Sequence, residues 1–321
     1  MGYWKEIIRT AYPISNSLWY SGKYRLRVSI ANYIDVACIN LLSQNIISVK
    51  LSLDDIPINY IRNSILIDDM GWTLFRLNKK FYAKARENIF KGINIAENEK
   101  YYDLLLKGYK HLFCITVELD KCFDNTQAYF DKINSILTEE EYLQISDNER
   151  SSIEAGLYYS LSASYLTVVK QIKNESEQKE YFLYQAKEYI EKSIQYYRNF
   201  DIERYIKTFS VKAEILFLLD PLKYMPLIDE LINEGIVLSQ LHQERDRYFR
   251  LIILKMQVLL WKIQESLNKY ELEILKHELS TIQHEVQKSI KVSPLYYRQY
   301  KKLYKQIKSA IKNKLFKFSY H

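Results

Sequence analysis

Apolar residues recur along this chain three or four positions apart, the spacing that places side chains on one face of a helix. In GWTLFRLNKKFYAKARENIFKGINIAE, residues 71–97, a first helix carries Trp72, Thr73 and Leu77, and on a second helix Tyr82, Ala85, Ile89 and Gly92 mark one face. That face runs aromatic, small, large apolar, small, so a neighbouring helix can approach closely at Ala85 and Gly92. The same spacing recurs as Tyr24, Arg27, Ala31, Ile34; Phe123, Thr126, Phe130, Ile133; Leu183, Ala186, Ile190, Ser193; and Met225, Ile228, Ile232, Gly235. Ser15, Thr73 and Cys114 stand twelve residues before the second position and Ala213 fifteen before it, each a small residue on the preceding helix. Ala163 fills that place in the remaining unit if the stretch around KNESEQKEYFL lengthens its hairpin. The pattern predicts helical pairs at 3–20/23–44, 58–78/81–97, 101–120/124–138, 148–173/180–198, 202–219/222–240 and 244–266/268–291, then a helix near 295–317. Ser146 with Glu149 reads as a capping box, Asp201 as a helix cap, and 45–57 as the longest break.

Composition supports an all-α fold. Seven glycines and five prolines make up about 4% of the chain, where ordinary proteins carry roughly 12%. Strands joined by glycine-rich turns are therefore not expected. Gly71 and Gly92 need a reason to lie inside helices, where each costs about 1 kcal/mol relative to alanine. Close helix contact supplies one for Gly92; Gly71 either relieves a helix crossing or faces a groove.

The spacing resembles the tetratricopeptide (TPR) repeat family, most strongly over residues 66–97, less over 101–137, and with degenerate repeats across 3–290. The wording of 68–112 is similar to divergent repeats of bacterial signalling and defence proteins. Units here follow at about 41 residues or more, and most of the family's Trp, Leu-Gly and terminal Pro positions are missing. The resemblance implies a right-handed superhelix of antiparallel hairpins over 1–291, a TPR-like solenoid, with 292–321 as a basic C-terminal capping helix. It implies a protein or peptide partner in a groove lined by first helices. Carried over residue by residue, the groove positions are His111, Glu118, Lys207, Ser210 and Glu214.

Charge separates the tail from the body. The net charge is +7, yet residues 288–321 hold ten Lys or Arg and no Asp or Glu, leaving 1–287 slightly acidic. On one helix, Tyr297, Tyr300, Leu303, Tyr304, Ile307 and Ile311 share a face, and Arg298, Lys301, Lys302, Lys305, Lys308 and Lys312 occupy the other. That helix reads as a cap with a solvated face; the alternative is binding of nucleic acid or another acidic partner.

Catalytic motifs are absent from the sequence. No phosphate-binding glycine loop occurs, His277 and His284 lack the spacing of a zinc helix, and the acidic pairs Asp54/Asp55 and Asp68/Asp69 read as helical surface. Cys38, Cys114 and Cys122 read as reduced core thiols. No signal-like or membrane-spanning segment is evident, so a cytoplasmic location is expected. The expectation is a non-enzymatic, cofactor-free scaffold, adaptor or sensor in bacterial signalling or phage defence. Nucleic-acid binding through the tail is the alternative function.

Overall fold

The computed structural model describes residues 2–20, 23–51, 54–120, 126–170, 172, 177–288 and 294–318. Cys122 and Phe123 lie outside them. Within the described residues the fold is helical apart from one short hairpin, and no helix is long and apolar enough to cross a membrane. The chain forms two compact units, residues 1–173 and 174–321. The division falls inside the stretch that the periodicity pairs as 148–173/180–198.

In the first unit α1 (Gly2–Tyr20) and α2 (Tyr24–Ser43) form the opening hairpin. The expected break at 45–57 instead contains antiparallel strands, β1 (Ser48–Leu51) and β2 (Asp54–Pro57), with Val49 opposite Ile56. Val49, a β-branched residue at 1% exposure, seats this hairpin on the core of α1, α2 and α3. The expected helix 58–78 is a composite: α3 (Ile58–Ser64), a π-helical turn (Ile65–Trp72) and α4 (Thr73–Leu77). α5 (Tyr82–Glu99) packs on it and on α6 (Tyr102–Asp120); α6 in turn packs on α7 (Gln127–Leu137) and α9 (Asp147–Val169). The short α8 (Glu140–Leu143) separates these last two. Ser146 occupies the N-cap of α9 without a side-chain cap bond, so the expected capping box does not form. Asp147 and Glu149 instead place negative charge in the first turn, at the positive end of the helix dipole.

In the second unit α10 (Glu177–Phe200) packs on α11 (Ile202–Leu219), α11 on α12 (Pro221–Leu241), and both α11 and α12 on α13 (Arg245–Glu265). Asp201 caps α11 as expected, accepting from Arg204 N at 2.8 Å. α14 (Lys269–Lys288) follows α13, and α15 (Pro294–Phe318) packs on both. Ile307 of α15 is fully buried in the core shared by α11–α14.

Burial follows the repeat spacing. Ala31, Ile34, Ala85, Ile89, Thr126, Ile133, Ala186, Ile190, Ser193 and Ile228 are all at zero exposure, and Gly92 and Gly235 are buried. Tyr24, Phe130 and Met225 are half-buried instead. The chain also closes three second helices alike. Asn45, Lys100 and Gln243 adopt left-handed backbone at φ 57°. The next amide then reaches back five residues: Ile46 N to Leu41 O at 3.0 Å, Tyr101 N to Ala96 O at 3.0 Å and Glu244 N to Ser239 O at 2.8 Å. This is the Schellman closure that glycine ordinarily supplies.

Candidate functional site: a buried ionic cluster at a π-helical turn

The π turn begins as an interruption of a strongly apolar run, ILIDDMGW. Its wide backbone spacing is held where Thr73 N–H and Thr73 Oγ1 both donate to Asp68 O, the hydroxyl at 3.1 Å. Gly71 makes the close crossing with α5 feasible: a Cβ there would overlap Ile89 Cγ1 and stand 2.9 Å from Leu66 O. Gly92 on α5 repays the contact, since a Cβ there would lie 2.6 Å from Ile67 Cγ1. π turns of this kind concentrate at functional sites.

The turn aims two consecutive carboxylates at different helices. Asp69, at 3% exposure, accepts from Ser15 Oγ of α1 at 2.6 Å and pairs with Arg27 of α2. Arg27 occupies the repeat position that holds Ala85 and Ala186 in other units, so a charged residue has replaced a small one. Asp68 faces α6, where His111 Nε2 lies 3.0 Å from Oδ1 and Lys107 Nζ lies 3.2 Å from Oδ2. Two cations thus meet two carboxylates, which is the condition for burying such groups.

Electrostatics fix the protonation of the cluster. Burial raises the Asp68 carboxyl, but the Lys107 ammonium and the His111 hydrogen bond outweigh it and hold Asp68 below the usual carboxylate range. Burial pushes His111 down to about 4, against the opposing Asp68 hydrogen bond and with help from Lys110. The neutral ring must carry its proton on Nε2, because an ionised carboxylate only accepts. His111 Nδ1 is then a buried acceptor with no hydrogen-bond partner among the described residues. Burial raises Asp69, with Arg27 and Ser15 opposing.

Aromatic rings cover the histidine. Trp72 stacks on His111 at 4.3 Å and 11°, Phe75 packs on Trp72 and Tyr82, and Tyr82 OH donates to Glu118 Oε2 at 3.0 Å. One turn beyond His111 on α6, Cys114 Sγ lies 3.1 Å from Ser164 Oγ of α9. Polar contacts therefore run from α1 through the π turn and α6 to α9, each between successive first helices of the hairpins.

The expected groove residues divide by burial. His111, at 5% exposure, is enclosed in the cluster, whereas Glu118 is half-buried at its edge. In the second unit Ser210, at 4% exposure, donates to Lys207 O at 3.2 Å. Lys207 and Glu214 are half-buried on α11, and burial, reinforced by Arg247 and Arg204, lowers Lys207 to about 8. On α15 the expected tail residues Arg298, Lys301, Lys305, Lys308 and Lys312 are all exposed. His277 and His284 are exposed on α14.

Periodicity placed Arg27 on a repeat face but marked neither it nor Asp68, Asp69 or Lys107 as a site residue. Two signals were present: an arginine at a small-residue position, and an acidic pair inside an apolar run. Asp68/Asp69, expected as helical surface, is instead the centre of the cluster. The turn that rotates these residues inward has no motif of its own. No protein-family model matches this chain, and a search of curated proteins returns no match.

Proposed function

We propose that this chain is a non-enzymatic, TPR-like scaffold, an adaptor or sensor in bacterial signalling or phage defence. In this reading the hairpins of each unit stack as a right-handed superhelix, and the first helices of residues 1–173 bind a protein or peptide segment in the cytoplasm. The observation that carries it is the polar seam across α1, the π turn, α6 and α9, where a hairpin array that only packs against itself needs apolar residues. The seam has an exposed edge: the Asp68 and Lys107 side chains are 25% and 37% exposed, and Glu118 is half-buried nearby on α6. Such an edge fits a chain that carries both backbone amides and charged side chains. A scaffold is preferred to an enzyme because Trp72 covers His111, whose buried Nδ1 has no hydrogen-bond partner among the described residues.

The test pairs capture with reconstitution. A partner recovered on the purified chain is identified, purified and titrated against wild type and against Lys107→Ala/Glu118→Ala. Direct binding by wild type, at least tenfold weaker in the variant with an unchanged melting temperature, is the expected result. Equal binding by the two proteins removes the seam as the site.

A further inference from the structure

Six exposed cations of α15 pair with no carboxylate among the described residues. Helix 294–318 contains no Asp or Glu. Arg298, Lys301, Lys302, Lys305, Lys308 and Lys312 are exposed, and none forms an ion pair with a described carboxylate. On other helices several lysines are matched within a turn, Lys84 and Lys91 with Glu87, Lys187 with Glu191 and Lys192 with Glu188, whereas α15 offers no acidic residue of its own. Arg298 and Lys312 are fourteen residues apart, about 21 Å along a helix, so six like charges line a short, straight edge.

The helix holds this edge rigidly. Its other face, through Tyr300, Leu303, Tyr304, Ile307, Ile311 and Leu315, is packed into the core of the second unit. Tyr304 OH donates to Gln283 Oε1 at 2.6 Å, and Lys314 Nζ donates to Ser266 O at 2.9 Å. Lys301 and Lys308 lie over the Tyr297 and Tyr304 rings at 4.4 and 4.9 Å, which props their ammonium groups outward.

We infer that this edge binds the phosphate backbone of double-stranded nucleic acid, without reading its sequence. A lipid surface fits poorly, because the apolar face that would insert is already buried and, among the described large apolar side chains of α15, only Phe316 is exposed. Stacking on single-stranded bases fits poorly as well. Tyr297, Tyr300 and Tyr304 are half-buried and stack on one another at 6.4 and 5.9 Å. A duplex carries one negative charge per about 1.7 Å of axis, the densest regular array that a straight cationic edge can meet. The inference concerns residues 294–318 and is independent of the seam in residues 1–173.

Fluorescence anisotropy of the full chain with a labelled duplex of about 20 base pairs tests it. Binding is expected to weaken steeply with salt, with a slope of log affinity on log salt approaching about −5 for six contacts. Lys301→Gln/Lys305→Gln/Lys308→Gln/Lys312→Gln should cut affinity at least about tenfold and reduce the slope by about 3 to 4. Arginine at the same four positions should retain binding, which separates loss of charge from loss of fold. Lys84→Gln/Lys91→Gln/Lys187→Gln/Lys192→Gln, with the same change in net charge, should bind as wild type does. The inference is overturned by no duplex binding at low salt, or by equal loss in the two glutamine variants. It is also overturned by tighter binding to single strands, phosphatidylserine vesicles or polyglutamate than to the duplex.

Discussion

His111 Nε2 donates to Asp68 Oδ1 at 3.0 Å while the adjacent Asp69 turns away to Arg27 of a different helix. One backbone step therefore joins α6 to α2 through two carboxylates. The π turn makes this geometry, and stability should depend on each half of it.

Acid should weaken the fold through His111. Its folded value of about 4 lies below the ordinary 6.5, so between these the native state binds fewer protons than the unfolded chain. Stability is then present above pH 6.5 and is lost as pH falls towards 4, by up to about 3 kcal/mol. Urea unfolding across that range should show a falling midpoint. His111→Phe, which keeps an aromatic ring against Trp72 but cannot titrate, should flatten the fall.

Removing one partner of the deeper pair should cost more than removing both. Arg27→Met leaves Asp69 buried and uncompensated, for a loss of about 3–5 kcal/mol. Arg27→Met/Asp69→Leu should recover most of it. Equal stability of the single and double variants, measured by denaturant unfolding, would show that the pair is not coupled.

Alanine should be unfavourable at Gly71 although alanine is the better helix former. Overlap with Ile89 and the 2.9 Å approach to Leu66 O outweigh the roughly 1 kcal/mol of propensity, giving a net loss of about 1–3 kcal/mol. Gly71→Ala/Ile89→Ala should be non-additive, and a thermodynamic cycle measures the coupling.

Glycine should be favourable at Gln243. Its side chain is exposed and its φ is 57°, where a Cβ costs about 1–2 kcal/mol. After the added freedom of the unfolded chain, Gln243→Gly should stabilise by about 0.5–1 kcal/mol, whereas Gln243→Ala should change little.

Lys207 should titrate near 8. Reductive methylation with labelled formaldehyde followed by NMR should give one lysine resonance moving in that range, lost in Lys207→Met. Arg247→Gln should raise its midpoint by removing a neighbouring positive charge.

The amino-acid pattern by itself determined where helices run and which faces they bury. Small and apolar residues at 3.6-residue spacing force Ala85, Ile89, Ala186 and Ile190 inward, and a solvated lysine face follows on α15 for the same reason. Asp201 could be read as a cap because capping is a contact within four residues. Only the tertiary structure decided the rest. The β1–β2 hairpin forms because Val49 finds a core to cover, and the Ser146 cap is absent although its residues are local. Arg27 and His111 are 84 residues apart, with Asp68 and Asp69 about forty from each, and their charges are tolerable inside the fold only because helices from three hairpins deliver opposite charges to one point. Periodicity encodes the face a residue occupies; it carries no information about which charge from another helix will meet it there.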